Sequence, residues 1–246
     1  MDVETARARF VRGVKRWPWL RYRLVALRRV LYRIIFHFHW KKLERDYILS
    51  PGLKKLQVGS WTNLLDGWLN TDYYPRKNVP FLDVLKPLPF PDNSFDYVFS
   101  EHMVEHLPFD GTFCFFVECN RLLKKNGKIR IATPGLELLF KVFTEKNDAT
   151  VKSFISANGR PPSQKLKKPL AAYAINRTFY GHGHKFIYDF KSLKASLEAA
   201  GFRNVVRCVP GKSKDKNLNN IDRREIEPRN RKGFNRLETI VVEATK

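Results

Sequence analysis

The feature that most constrains this chain is a series of short apolar segments between residues 55 and 133, each ending in turn or polar residues. Leu56-Gln57-Val58 runs into a turn at Gly59. Trp68 to Asp72 and Phe81-Leu82-Asp83 both end on an acid, and Phe95 to Ser100 leads into Glu101-His102. Lys128 to Thr133 follows the turn Asn126-Gly127. Runs this short, rich in aromatic and branched residues and bounded by Gly, Pro and Asn, read as strands. Between and after them the period changes. Residues 112–124 place Phe113, Phe116, Val117, Cys119 and Leu123 largely on one helical side, and a further helix begins near Leu136. Asp189 caps a helix over 190–200, which Gly201 ends. Strands alternating with helices predict an α/β fold with a mainly parallel, doubly wound sheet. Phe202 to Val209 and Glu238 to Ala244 have no helix between them and predict an antiparallel strand at the edge. Residues 158–185 read as an insertion, irregular over 158–170, and 209–236 as a basic loop.

In a sheet of this kind ligands bind beyond the carboxyl ends of the strands. Those ends carry Gly59-Ser60, Asp72, Asp83 and Ser100-Glu101-His102. A glycine turn lets a ligand approach the backbone closely. An acid after the second strand can accept both hydroxyls of a ribose, and one after the third can accept an adenine amino group. Each is common in loops by itself. In this order they form a nucleoside-binding constellation.

Charge separates the centre of the chain from its flanks. Of the net +22, residues 1–50 contribute +9, from thirteen Lys and Arg against four acids. Residues 51–157 contribute only +1, and the two stretches 158–202 and 203–246 contribute +6 each. The basic flanks point to a polyanionic partner, an anionic membrane surface or nucleic acid, while a solvated surface is the plain alternative. Hydrophobic residues make up 43%, with nineteen Phe, so the centre can bury a core and disorder is excluded. Three cysteines without Cys-x-x-Cys spacing argue against a disulfide framework or structural zinc, and for a reducing compartment. His182 and His184 alone lack a third ligand nearby in sequence, so no metal site is expected. The longest apolar run near the N-terminus, Ile34 to Trp40, is far short of the roughly 20 residues of a membrane span. A cytoplasmic protein, peripheral at a membrane if the basic flank engages one, is the expectation.

Residues 20–46 predict a basic amphipathic helix, with Leu20, Leu24, Leu27, Leu31, Ile34, Ile35 and Phe38 at helical spacings. Trp17-Pro18 marks its start, since proline is tolerated in a first turn. It can serve as a lid over an acceptor cleft, lie on an anionic membrane, or bind nucleic acid. Packing against its own or a partner domain is the usual fate of such a stripe.

The stretches Leu56–Asp72 (LQVGSWTNLLDGWLNTD), 82–107 (LDVLKPLPFPDNSFDYVFSEHMVEHL), 118–137 (ECNRLLKKNGKIRIATPGLE) and 184–202 (HKFIYDFKSLKASLEAAGF) resemble the class I S-adenosylmethionine-dependent methyltransferases. The likeness is greatest to a bacterial branch linked to saccharide and cell-surface biosynthesis. It covers about residues 53–246 and is strongest over 82–137. The resemblance implies a Rossmann-like methyltransferase sheet over 51–246; residues 1–50 lie outside it and read as a basic helical extension. It implies S-adenosylmethionine as cofactor, with Gly59 and Ser60 backing its methionine part, Asp72 on the ribose, and Asp83 and Val84 on the adenine. Ser100, Glu101 and His102 would line the cleft floor, and the acceptor would be a small molecule of saccharide or anionic type. Glu105 and His106 read as orienting the loop. Glu118 and Arg121, one turn apart, read as a pair.

The branch has Gly-Cys-Gly in its first turn, whereas this chain reads Gly59-Ser60-Trp61. A tryptophan there either strains the turn, fills the cofactor space, or points outward. Two readings therefore stand beside the small-molecule enzyme: a methyltransferase-like binding or assembly protein without catalysis, and an RNA methyltransferase. If transfer needs a base, His184 in Gly181-His182-Gly183-His184 is the candidate, since histidine can accept a proton near neutral pH. Tyr180 and Tyr188 are candidates for acceptor contact or for packing.

Overall fold

The computed structural model describes residues 18–145, 147–163, 165–222 and 237–246. Six strands make one sheet in the order β2-β1-β3-β4-β6-β5. They are β1 (Lys55–Val58), β2 (Leu69–Thr71), β3 (Phe95–Glu101), β4 (Leu123–Pro134), β5 (Arg203–Cys208) and β6 (Thr239–Thr245). The first four are mutually parallel. β6 runs antiparallel between β4 and β5, which yields the expected antiparallel edge. The strand order reverses at β1, whose two neighbours are β2 and β3, so a ligand crevice falls at its carboxyl end.

The expected third strand is reduced to one parallel bridge between Asp72 and Phe81. Asp72 donates its amide to the Pro80 carbonyl and accepts the Leu82 amide. Prolines at 75, 80 and 87 lack the amide a longer ladder needs, and the chain turns at Asp83, whose carbonyl accepts from Lys86. β4 starts five residues earlier than its pattern suggests, running through Asn126 at φ +64°.

α2 (Phe109–Leu122) buries Phe115, Phe116, Cys119 and Leu122 against the sheet. α6 (Phe190–Ala199) buries Leu193 and Leu197, and a capping box between Asp189 and Ser192 fixes its start. α3 (Leu136–Thr144), α4 (Ala149–Asn158) and α5 (Ala171–Tyr180) share a small core of Val142, Phe154, Ala171 and Ala174. The stretch expected as an insertion thus holds the regular helix α5, with irregular chain over 159–163 and 165–170 before it. The sequence pattern missed α4, whose apolar stripe is only Val151 and Phe154.

The expected basic loop holds no helix or strand over its described part, 209–222, and part of it is buried. Residues 210–222 lie packed on the sheet, with Leu218 and Ile221 in a cluster with Leu65, Trp68 and Phe99. Fully buried Arg130 of β4 donates to Asp222 through Nε at 2.9 Å and through Nη2, and to Glu243 through Nη1. Residues 223–236 lie outside the described residues.

α1 (Pro18–Leu49) is continuous and longer than the pattern suggested. Its last third docks: Trp40 donates to the carbonyls of Arg76 and Lys77 at 3.1 and 3.0 Å, and Tyr47 donates to those of Lys55 and Gly67. Leu43, Tyr47 and Ile48 join the main core. The apolar stripe expected to pack does not pack on this chain: Leu27, Leu31, Ile34, Ile35 and Phe38 are exposed. Contact is made from the other side of the helix, where Arg29 lies 4.3 Å above the Tyr73 ring and Arg33 4.4 Å above Phe81.

Candidate active site

At the end of β1 the chain turns at Gly59, with φ +74°. A Cβ there would lie 2.8 Å from Cγ of Met103, so both the conformation and the close approach require glycine. The amides of Gly59 and Ser60 both donate to the Thr71 carbonyl at 3.0 Å, which ties the turn to the end of β2. Trp61 takes φ +41°, a left-handed conformation uncommon for a bulky residue. Its amide donates to Asp72 Oδ2 at 2.7 Å, and its ring, 65% exposed, meets Tyr74 edge-on at 6.3 Å. The ring therefore swings out and leaves the space between Gly59 and Asp72 unfilled by its bulk.

Asp72 is buried at the mouth of this turn. Its second oxygen accepts the Tyr74 amide at 2.7 Å. Burial raises its pKa above the ordinary aspartate value against the pull of those two amides and Arg76. A carboxylate offers about four lone-pair sites, so two amides leave capacity for further donors. Across the crevice, Ser100 stands in register beside Val58. Ser60 Oγ and Ser100 Oγ are buried hydrogen-bonding atoms without a partner among the described residues. Buried polar atoms ordinarily find partners, which makes these two candidates to meet a ligand. Glu101 lies beside them, accepting from Asn63 Nδ2 at 3.2 Å. The edge thus brings together Gly59, Ser60, Asp72, Ser100 and Glu101.

Two expected residues sit differently. His102, at φ +51°, is held from both ring nitrogens, at 3.1 Å from Glu105 Oε1 and 3.1 Å from Thr239 Oγ1. Both polar ring atoms are engaged within the protein, so His102 braces the turn after β3. Asp83 is half-buried beyond the bridge, with its carboxylate on the Leu85 amide at 3.2 Å, while Val84 packs against the main core.

Glu105, fully buried, organises the next stretch. Its side chain takes His102 on one oxygen and the Thr133 hydroxyl on the other, at 3.1 Å each. Its backbone carbonyl accepts the amides of Lys185 and Phe186 at 2.7 and 3.3 Å. This stitch carries His184 to the site, with Nε2 4.0 Å from Glu105 Oε1 and its ring 4.7 Å from that of His106. Burial would raise the Glu105 carboxyl, but the His102 hydrogen bond and the charges of His102 and His106 outweigh it, leaving it below the ordinary value. Burial holds His184 below the usual histidine value despite the opposing charge of Glu105. His184 is thereby kept neutral and proton-accepting at neutral pH. The fold also supplies what sequence spacing lacked: Glu105, His106 and His184 offer ligand atoms all within 4.8 Å. Each Glu105 oxygen already carries one hydrogen bond, to His102 and from Thr133.

Other candidates resolve into structure. Tyr188 is fully buried with Phe109 and Phe186, and Tyr180 is exposed at the end of α5. Glu118 and Arg121 form a bidentate pair at 2.9 and 2.8 Å, and Arg121 also holds the carbonyls of Leu88 and Phe90. Together they clamp the proline loop before β3. Glu105 was legible only as an orienting group; its link to His184 spans 79 residues and leaves no local pattern.

A mostly parallel sheet of this order, with glycine, serine and acid at the ends of its first strands, is the Rossmann-like architecture of class I S-adenosylmethionine-dependent methyltransferases. Residues 74–131 match the family model described as a methyltransferase domain. Similar solved structures include a SAM-dependent methyltransferase from Archaeoglobus fulgidus, 18% identical, covering 94% of this chain and 100% of its own at a TM-score of 0.47. A S-adenosylmethionine-dependent methyltransferase from Mesorhizobium loti is 15% identical over 84% of this chain and 97% of its own, with a TM-score of 0.44. Phosphoethanolamine N-methyltransferase 2 from Haemonchus contortus, in complex with S-adenosyl-L-methionine, is 15% identical over 89% of this chain and 56% of its own, with a TM-score of 0.38. No curated protein matches the sequence.

Proposed function

We propose that the chain methylates a small acceptor of saccharide or anionic type, with S-adenosylmethionine held at the carboxyl ends of β1 to β3. The observation that carries this is the pair of orphan hydroxyls, Ser60 and Ser100, buried at the same strand ends as Gly59 and Asp72. The residues fit the group. Gly59 and Ser60 would take its methionine part, Asp72 the ribose hydroxyls, and Asp83 with Val84 the adenine. When bound, the cofactor supplies an electrophilic methyl on a sulfonium. The protein's part is to place the acceptor in line with that methyl and, where the acceptor is a hydroxyl, to remove its proton. His184 is suited to the second task because burial keeps it neutral, and the nearby Glu105 carboxylate stabilises the imidazolium that forms. Glu105 is then a positioning residue.

Calorimetric titration with S-adenosylmethionine and S-adenosylhomocysteine tests the reading. Binding that weakens by about 1–3 kcal/mol in Asp72→Ala supports it. Absence of both heat and thermal shift would overturn it in favour of a catalytically silent scaffold. That scaffold reading drew on Trp61, whose outward ring removes its steric basis. An RNA acceptor is the remaining alternative and would reveal itself by acceptor binding that collapses between low and physiological salt.

A further inference from the structure

We infer that α1 is a docking face for an anionic lipid surface, an inference independent of how the cleft is read. Two stripes run along this helix at spacings of four and three. One is Arg29, Arg33, Phe36, Trp40, Leu43 and Tyr47; the other is Leu24, Leu27, Leu31, Ile34 and Phe38. They are offset by two positions, which at about 100° per residue places them on opposite sides of the helix. The first stripe faces the domain, through Arg29 on Tyr73, Arg33 on Phe81, the Trp40 bonds to the Arg76 and Lys77 carbonyls, and Leu43 and Tyr47 in the core. The second turns away: Ile34 is 69% and Phe38 84% exposed, and Ile35 beside them is 66%.

A helix that pins a mixed cationic and aromatic face to its own domain while presenting leucine, isoleucine and phenylalanine outward has inverted the usual arrangement. An outward apolar face of this size calls for a covering. The flanking charge selects which one. Exposed Arg23 and Arg28 border the stripe, and residues 5–43 contain no acid. A second copy of α1 would bring like charges together across the seam, with no acid between residues 5 and 43 to relieve them. Nucleic acid would satisfy the arginines and leave the leucines in water. An anionic bilayer accepts both at once, with the apolar stripe entering the acyl boundary and the arginines meeting headgroups. No helix among the described residues is long and apolar enough to cross a membrane, so α1 would lie in the interface plane. Trp40 ties it to the loop carrying Arg76 and Lys77, just beyond Asp72, so seating α1 would hold that side of the domain at the surface.

The test is co-sedimentation of the full chain with vesicles of phosphatidylcholine alone or mixed with phosphatidylglycerol, alongside sedimentation velocity without lipid. The expected result is binding to the anionic vesicles only, falling at least tenfold in Ile34→Ser/Phe38→Ser and several-fold in Arg23→Gln/Arg28→Gln. Both variants should keep the thermal midpoint of the parent chain, since these side chains are exposed. Failure to bind anionic vesicles would overturn the inference. So would vesicle binding unchanged in Ile34→Ser/Phe38→Ser, which would reduce it to bulk charge. A dimer that this variant dissolves, with no vesicle binding, would assign the face to a second copy.

Discussion

The chain carries its positive charge in two flanks, one before the sheet and one towards its end, and the fold treats them in opposite ways. In the later flank, Asp215 and Asp222 sit among the lysines and arginines. Asp222 receives the buried Arg130, and Asp215 receives Lys128 at 2.7 Å and the Tyr97 hydroxyl at 3.0 Å. Leu218 and Ile221 go into the core beneath. In α1 there is no acid before Glu44; Arg29 and Arg33 lie on the Tyr73 and Phe81 rings, while Arg23, Arg28 and the stripe Leu27, Leu31, Ile34 and Phe38 are left exposed. A net charge near a terminus therefore says little by itself. What matters is whether acids are interleaved to pair with cations on the sheet.

The contrast can be broken at its strongest point first. Asp222→Ala leaves Arg130 buried with only Glu243 and the Lys212 carbonyl, and should cost about 3–5 kcal/mol in urea unfolding. A loss below 1 kcal/mol would show that 210–222 is not integral to the fold. Leu218→Ala removes a fully buried side chain from the same segment and should cost about 3 kcal/mol by the same assay. Asp215→Asn sharpens the electrostatic half. Burial would raise this carboxyl, but Lys128, the Asn217 amide and Tyr97 outweigh it and hold it below the ordinary aspartate value. A depressed carboxyl lends stability that is fully present above its unfolded pKa, about 3.9, and is lost as pH falls through the lower folded value. The parent chain should thus exceed Asp215→Asn in stability at neutral pH, and the gap should close in acid. A gap that persists at low pH would assign the effect to packing. The smallest effect belongs to α1. Arg23→Gln/Arg28→Gln should shift stability by no more than about 0.5 kcal/mol, and a larger loss in thermal melts would mean this flank too is wired into the fold.

Legibility followed the same division. Gly59, Asp72 and the 100–101 segment could be read because each answers a local demand: a left-handed turn, an acid just past a strand, a small residue at a strand end. Asp83 was placed correctly beyond Asp72, yet the strand expected before it shrank to one bridge, since prolines near it withhold the ladder's amides. His102 was read as cleft lining from its neighbours in sequence. Its actual partners, Glu105 and Thr239, include one 137 residues away. Trp61 posed three outcomes in sequence; in the fold its φ of +41° realises the strained turn and its exposed ring beside Tyr74 the outward course.

By itself the sequence determined the periods and the punctuation, and with them the sheet, its antiparallel edge and the order of chemical groups along its carboxyl ends. These are set within a few residues by backbone conformation and by which side chains avoid water. The tertiary structure alone decided the pairing of Arg130 with Asp222, the approach of His184 to Glu105, and which stripe of α1 meets the domain. The contacts Arg33–Phe81, His184–Glu105 and Arg130–Asp222 join groups 48 to 92 residues apart. A hydrophobic period announces that a face will be covered, but the covering surface exists only once distant segments have packed.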